Sequence, residues 1–299
     1  MNKKIKGILP ALITPFTKIG EVDKKKLRNF LQFLIPQVNG VYPCGSYGSG
    51  PLMTVSQRKL VAEIVAEEVA GKIPIVLHVG TADTKTTIEL AKHAEKLKIS
   101  AIACLTPYYY RHNFNTIAEH FRKVINAVNI PVFLYHNPKY TNFLSFTPSQ
   151  LEKLSEIGLG GLKDSSANIT FFYECVATIK KPNFTFLAGS QTVLLPALLG
   201  GGDGCVSGLS NLFPRLVNKI YEYVINKKFK EALELQRKVN VLRKITGAGI
   251  PIPFYHAALR LRGINIGIPK EPHLPYARDD EERIRKPILD AIKLEKSFS

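Results

Sequence analysis

The sequence predicts a (β/α)8 barrel with a C-terminal helical appendage. Two observations carry that reading. Strand-like and helix-like patterns alternate eight times before residue 227, the count such a barrel requires. The main rival for an alternating chain is a dinucleotide-binding open sheet. It calls for a G-x-G-x-x-G turn after its first strand and an acidic residue about 20 residues later. Neither is present, and Gly45-Ser46-Tyr47-Gly48 follows the second strand with the wrong spacing. At 299 residues the chain holds a barrel of about 250 residues with chain to spare. The expected division is residues 1–226 for the barrel and 227–299 for helices packed on it, with no linker between them.

In order, the strands are expected at Ile8–Thr14, Gly40–Cys44, Ile73–Val79, Ala101–Leu105, Pro131–Tyr135, the short run ending in Lys163, Phe184–Leu187 and Gly204–Ser207. Helices are expected from Asp23 to Gln37, from the Thr54-Val55-Ser56-Gln57 capping box to Ala70, from Thr84 to Leu97 and from Asn115 to Val128. They continue after the capping box Thr147-Pro148-Ser149-Gln150, which sets proline at the first helical position, then over Ala167–Ile179, Thr192–Leu199 and Pro214–Asn226. The appendage reads as Lys228–Thr246, Ile252–Arg262 and Asp279–Lys293, with Pro287 kinking or restarting the last. Gly200-Gly201-Gly202-Asp203-Gly204 is a turn into the eighth strand. It is not a phosphate loop, because no helix N-terminus follows it directly.

Composition excludes several classes. No apolar run approaches the roughly 18 residues of a membrane span. The basic start, Met1-Asn2-Lys3-Lys4-Ile5-Lys6, precedes an apolar stretch broken by Pro10 and Pro15 without a cleavage site, so no secretory signal is expected. The net charge of +17 raises nucleic acid as a partner. The cations are dispersed on helices beside glutamates, as in Lys92-His93-Ala94-Glu95-Lys96, and no nucleic-acid motif is present. Cys44, Cys104, Cys175 and Cys205 form no CxxC pair and have no histidine cluster. They read as buried free thiols of a cytoplasmic protein, with no metal.

The chemistry centres on Gly158-Leu159-Gly160-Gly161-Leu162-Lys163-Asp164-Ser165-Ser166. This is a small, apolar strand that ends in a lysine. An ammonium at the end of an apolar run is costly to desolvate, so its neutral amine is easier to reach. A neutral lysine amine attacks ketones and aldehydes to form a Schiff base. The plainer reading is a lysine that snorkels out of a strand end. The other strand ends argue against it, because several carry hydroxyls and a barrel gathers them around Lys163.

Four motifs occur in order: Gly45-Ser46-Tyr47-Gly48 after the second strand, Pro107-Tyr108-Tyr109 after the fourth, Tyr135-His136-Asn137-Pro138 after the fifth and Gly161-Leu162-Lys163-Asp164 on the sixth. In them the sequence resembles the dihydrodipicolinate synthase / N-acetylneuraminate lyase family of pyruvate-dependent class I aldolases, from about residue 5 to 225. The resemblance implies that Lys163 forms an imine with pyruvate or a 2-keto acid, with no other cofactor. It implies that Tyr135 is the general acid/base and that Ser46 links it to Tyr109, a residue that reaches in from a neighbouring subunit. A homo-oligomer, a dimer of dimers, follows. Tyr47 and Gly48 belong to the loop expected to hold the pyruvate carboxylate. Gly189 and Val206 are expected to line the site, with Ser165, Ser190 and Tyr140 as further substrate-binding positions.

Three departures bear on the substrate. Tyr140 stands where dihydrodipicolinate synthases carry a carboxylate-clamping arginine, and Lys139 beside it lacks the bidentate fork. Tyr47 replaces the second threonine of Gly-Thr-Thr-Gly, and Ser49 replaces an acidic residue. With Pro107-Tyr108-Tyr109-Tyr110 and Arg278-Asp279-Asp280-Glu281-Glu282-Arg283, these features resemble the archaeal 2-keto-3-deoxygluconate aldolase branch. The expectation is an aldolase acting on a 2-keto-3-deoxy sugar acid. The alternatives are a dihydrodipicolinate synthase using aspartate semialdehyde and a non-catalytic keto-acid binder.

Overall fold

The computed structural model describes residues 4–246 and 251–298, so the start of the basic N-terminus, residues 1–3, lies outside them. Seven strands form one parallel sheet: β1 (Gly7–Pro10), β2 (Val76–His78), β3 (Ala101–Leu105), β4 (Val132–His136), β5 (Gly161–Asp164), β6 (Thr185–Ala188) and β7 (Gly204–Ser207). Their order is β1-β7-β6-β5-β4-β3-β2. The gap between β2 and β1 is closed by residues 40–43, which supply the eighth position of a (β/α)8 barrel. There Tyr42 bridges Ala11 and Val41 bridges Ile75. The Leu12 N–H donates to Tyr42 O at 3.0 Å, and the His78 N–H to Pro43 O at 3.1 Å.

The expected second strand, Gly40–Cys44, is therefore two isolated bridges. Pro43 has no N–H to continue a ladder, and Cys44 turns the chain at φ 59°. Gly40 lets the segment press against its neighbour, since a Cβ there would lie 2.9 Å from Pro74 O. The first and third strands are also shorter than expected. The first ends at Pro10, with Ala11 and Leu12 still bonded to Ser207 and Tyr42, and the third begins only at Val76.

The barrel helices are α1 (Lys24–Leu34), α2 (Val55–Val69), α3 (Thr84–Lys96), α4 (Phe114–Asn126), α5 (Pro148–Glu156), α6 (Ile169–Thr178), α7 (Leu194–Leu199) and α8 (Pro214–Ile225). Both capping boxes form: Thr54 with Gln57 and Thr147 with Gln150. Asp23 and Asn168 cap α1 and α6 from outside rather than lying within them. A 3-10 turn, Gln191–Val193, precedes α7.

After α8 come α9 (Phe229–Ile245), α10 (Ile252–Leu261) and α11 (Arg278–Lys296). α11 runs on through Pro287 rather than restarting there. Near its end, buried Glu295 accepts the first N–H groups of α8, Arg215 N at 2.9 Å and Leu216 N at 3.3 Å, and pairs with Arg262. A carboxylate at a helix N-terminus is favourable, and here it pins the chain's last helix to the barrel.

Side chains divide by strand parity. Leu9, Tyr42, Val76, Ala101, Ala103, Phe133, Leu187 and Val206 fill the barrel interior, and a larger cluster fills the shell between sheet and helices. Gly161 leaves room for Phe133, whose ring would lie 2.7 Å from a Cβ at 161. The next inward residue of β5 is Lys163, and its partner in register on β4 is Tyr135.

Candidate active site

Lys163 is buried at the carboxyl end of β5. Its Nζ lies 3.4 Å from the centroid of the Tyr135 ring and 5.0 Å from that of Tyr42. Burial depresses the Lys163 ammonium, against the opposing pull of the Tyr135 phenol. At Tyr135 the balance reverses. Burial alone would raise the phenol, but the Lys163 charge and the Ser46 and Asn137 hydrogen bonds together bring it below the ordinary tyrosine value. Lysine and tyrosine thus compete for one proton, and the site holds both a reachable amine and an acidic phenol.

The Tyr135 hydroxyl is tied on two sides. Ser46 Oγ lies 3.2 Å from it, and Asn137 Nδ2 donates to it at 2.9 Å. The loop carrying Ser46 turns sharply. A Cβ at Gly48 would lie 2.7 Å from Leu12 O. The N–H groups of Ser46, Tyr47 and Gly48 make no backbone hydrogen bond among the described residues. The Tyr47 ring leans away onto Tyr255 of α10, 5.4 Å between centroids, and over Gly208. The C-terminal helices therefore wall this side of the site.

Gly189 and Ser165 meet at the next two strand ends. The Gly189 N–H donates to Asp164 O at 2.5 Å, and Ser165 Oγ occupies the space a Cβ at 189 would need. Ser165 Oγ is buried without a partner among the described residues. Ser190 caps the following turn through the Thr192 N–H, and Val206 lies in the barrel interior. Tyr140, in the turn Pro138–Tyr140, is 42% exposed, and its phenol is raised by burial and then by the neighbouring Tyr135 and Tyr47. Tyr109 is not brought to Ser46 within the chain. It is 80% exposed at φ 83°, with its carbonyl held by Asn142 Nδ2 at 2.7 Å.

Several site residues carried no individual signal in the sequence. His136 and Asp164 point outward from paired strands and meet at 2.7 Å, and Asp164 also accepts from Ser166. That fixes the strand end behind Lys163. His78 faces Tyr135 edge-on at 5.6 Å. Its Nε2 accepts from Leu105 N at 3.3 Å, so its proton sits on Nδ1, 3.1 Å from Cys44 O. Burial, then the charges of Arg58 and Lys163, keep it neutral. Arg58 donates to the carbonyls of His78 and Gly80. Asn137 belongs to the strand-five motif, but only its side-chain direction reveals its contact. The four cysteine thiols are buried, and burial pushes Cys205, near Lys163, up to about 12.

A barrel whose strand ends gather a buried lysine and an acidic tyrosine defines the class: a carbon–carbon lyase of the pyruvate-dependent aldolase type. The profile of the dihydrodipicolinate synthetase family matches residues 4–291, and the chain belongs to that family. It is 33% identical to an uncharacterised DapA-like lyase of Halobacterium salinarum, over 95% of this chain and 93% of that one. It is 32% identical to the 4-hydroxy-tetrahydrodipicolinate synthase of Methanothrix thermoacetophila, over 94% and 95%. The crystal structure of N-acetylneuraminate lyase from Mycoplasma synoviae superposes with a TM-score of 0.85 at 28% identity, over 96% and 97%.

Proposed function

We propose that the enzyme cleaves, or in reverse forms, a 2-keto-3-deoxy sugar acid of the 2-keto-3-deoxygluconate type, through an imine on Lys163. The observation that carries the reading is the Lys163–Tyr135 pair, with Nζ 3.4 Å from the ring centroid and the tyrosine hydroxyl held by Ser46 and Asn137. Neutral Lys163 attacks the keto carbon and water leaves, giving an iminium that serves as an electron sink without another cofactor. Tyr135 removes the proton from the C4 hydroxyl as the C3–C4 bond breaks. The aldehyde departs, the enamine takes a proton at C3, and water releases pyruvate. The free N–H groups of Tyr47 and Gly48 suit the keto-acid carboxylate. Ser165, Gly189, Ser190 and Val206 border the remainder of the pocket.

Tyr140 supports the sugar-acid substrate and the archaeal 2-keto-3-deoxygluconate aldolase branch. It offers a neutral hydroxyl where a second carboxylate would want a bidentate cation. The second reading, condensation of pyruvate with aspartate semialdehyde, draws on relatives such as the Methanothrix synthase. Exposed Tyr109 supports a homo-oligomer, a dimer of dimers in which this ring completes a neighbour's site. The four buried thiols suit a cytoplasmic setting, and no described helix is long and apolar enough to cross a membrane.

Borohydride with pyruvate tests the chemistry. It is expected to label the peptide containing Lys163 and to leave Lys163→Ala unlabelled; label on another lysine rejects the assignment. Pyruvate release from 2-keto-3-deoxygluconate, run beside pyruvate consumption with aspartate semialdehyde, tests the substrate. Faster turnover of the semialdehyde moves the enzyme to the second reading.

A further inference from the structure

We propose that Asn137 is a positioning residue that holds the Tyr135 oxygen and directs its proton. Its side-chain amide donates to the tyrosine oxygen at 2.9 Å, so the phenolic proton points to Ser46 or to substrate. The role rests on the reading of Tyr135 as the acid/base.

The backbone explains how the amide reaches its target. On β4, Tyr135 faces inward and His136 outward to Asp164. Asn137 returns inward just past the strand, at φ −146° and ψ 86°. Its carbonyl accepts from Tyr140 N at 3.0 Å and from Thr141 Oγ1 at 3.1 Å. The main chain is held by the turn that follows, and the buried side chain folds back over the residue two positions earlier.

Hydrogen-bond valence sets the direction. A phenol oxygen has one proton to give and lone pairs to receive, whereas an amide nitrogen only donates. With Asn137 donating, the phenol proton goes to Ser46 Oγ, 3.2 Å away, or into the cavity where the substrate hydroxyl binds. That is the direction a general acid/base needs.

The neighbours of Tyr135 show why a neutral donor matters. Lys163 on β5 faces its ring, His78 on β2 stands 5.6 Å off, and Tyr42 in the closing segment 6.1 Å off. Tyr47 and Tyr140 lie further along the pocket. His78 is held neutral, so Lys163 is the cation in this group. Its charge is absent whenever the amine is free to attack. At that stage the fixed dipole of Asn137, with Ser46, is what still favours the phenolate, and it needs no reorganisation during the reaction.

The test is the titration of Tyr135 in the free enzyme, followed by NMR of ring-labelled tyrosine and assigned with Tyr135→Phe. Asn137→Leu removes the donor. The midpoint is expected to rise by about one unit, the size of one net hydrogen bond. Asn137→Asp keeps the shape and exchanges the donor for a carboxylate, so it raises the midpoint further and stands in if the leucine variant does not fold. Because cleavage uses Tyr135 as the base, the acidic limb of kcat against pH for cleavage should move with the midpoint. A midpoint that stays put or falls in the folded variant overturns the proposal, and so does a loss of kcat without a shift, which is the mark of a structural role. Failure of the native enzyme to trap pyruvate at Lys163 removes the aldolase reading, whereas the role of Asn137 stands or falls with the Tyr135 midpoint.

Discussion

Gly189→Ala is the sharpest test of how the pocket is assembled. Gly189 joins the loops that follow β5 and β6, and a Cβ there would lie 1.9 Å from Ser165 Oγ, 2.7 Å from Asp164 O and 2.9 Å from Ser165 Cα. The hydroxyl can rotate away. The other two atoms are backbone, and the Gly189 N–H already holds Asp164 O at 2.5 Å, so the strand ends must part by a few tenths of an ångström or more. Overpacking of this kind costs about 1–3 kcal/mol. Lys163 immediately precedes Asp164, so the displacement reaches the nucleophile. A misplacement of about 1 Å at a reacting group costs about 100-fold. Urea denaturation at fixed protomer concentration should show the stability loss, and pyruvate release should show a drop in kcat/KM of about 10- to 100-fold. Adding Ser165→Ala to the variant removes the shortest contact but leaves the backbone ones, so recovery should be partial. Native stability and kcat/KM within about twofold of the parent would refute the reasoning.

Two further outcomes follow from the same geometry. Tyr140→Arg should improve use of aspartate semialdehyde by about 10- to 150-fold, the span of one charge-assisted hydrogen bond, and weaken use of a sugar-derived aldehyde by about 2- to 10-fold, the span of a neutral one; paired kcat/KM measurements check it, and an unchanged ratio rejects Tyr140 as the discriminator. Acid should destabilise the fold through His120 and His256, both buried, whose imidazoles burial pushes down from 6.5 to about 4. Because the folded values are depressed, this stability is complete above pH 6.5 and is lost as the pH falls toward 4, by up to ~3 kcal/mol per histidine. Denaturation midpoints between pH 7 and 4 measure it, and His120→Gln with His256→Leu should flatten that slope.

Much of the fold was legible because its signals are local. The Thr54/Gln57 and Thr147/Gln150 boxes mark helix starts within four residues of sequence, and both form. Seven of the eight expected strands pair in the order a barrel demands. The exception, the expected second strand, shortened for a reason that local pattern does not register: whether residues 40–44 extend a ladder depends on neighbours in space, and Pro43 and the turn at Cys44 limit them to two bridges. Of the two outcomes open at Pro287, a kink or a restart, the restart does not occur: α11 continues past it, with Ile284, Ile288 and Ala291 buried on either side.

The site divides the same way. The sequence by itself determined that a lysine ends a small, apolar strand, that hydroxyl-bearing loops follow the other strands, and that tyrosine rather than arginine occupies position 140. These are matters of residue type and period. Only the tertiary structure decided that the Lys163 nitrogen lies against the Tyr135 ring, that Asn137 shares the Tyr135 hydroxyl with Ser46, and that Tyr47 leans onto α10. Acidity and hydrogen-bond direction depend on distance and burial, and closing the barrel brings residues 46, 135 and 163 to within a few ångströms of one another.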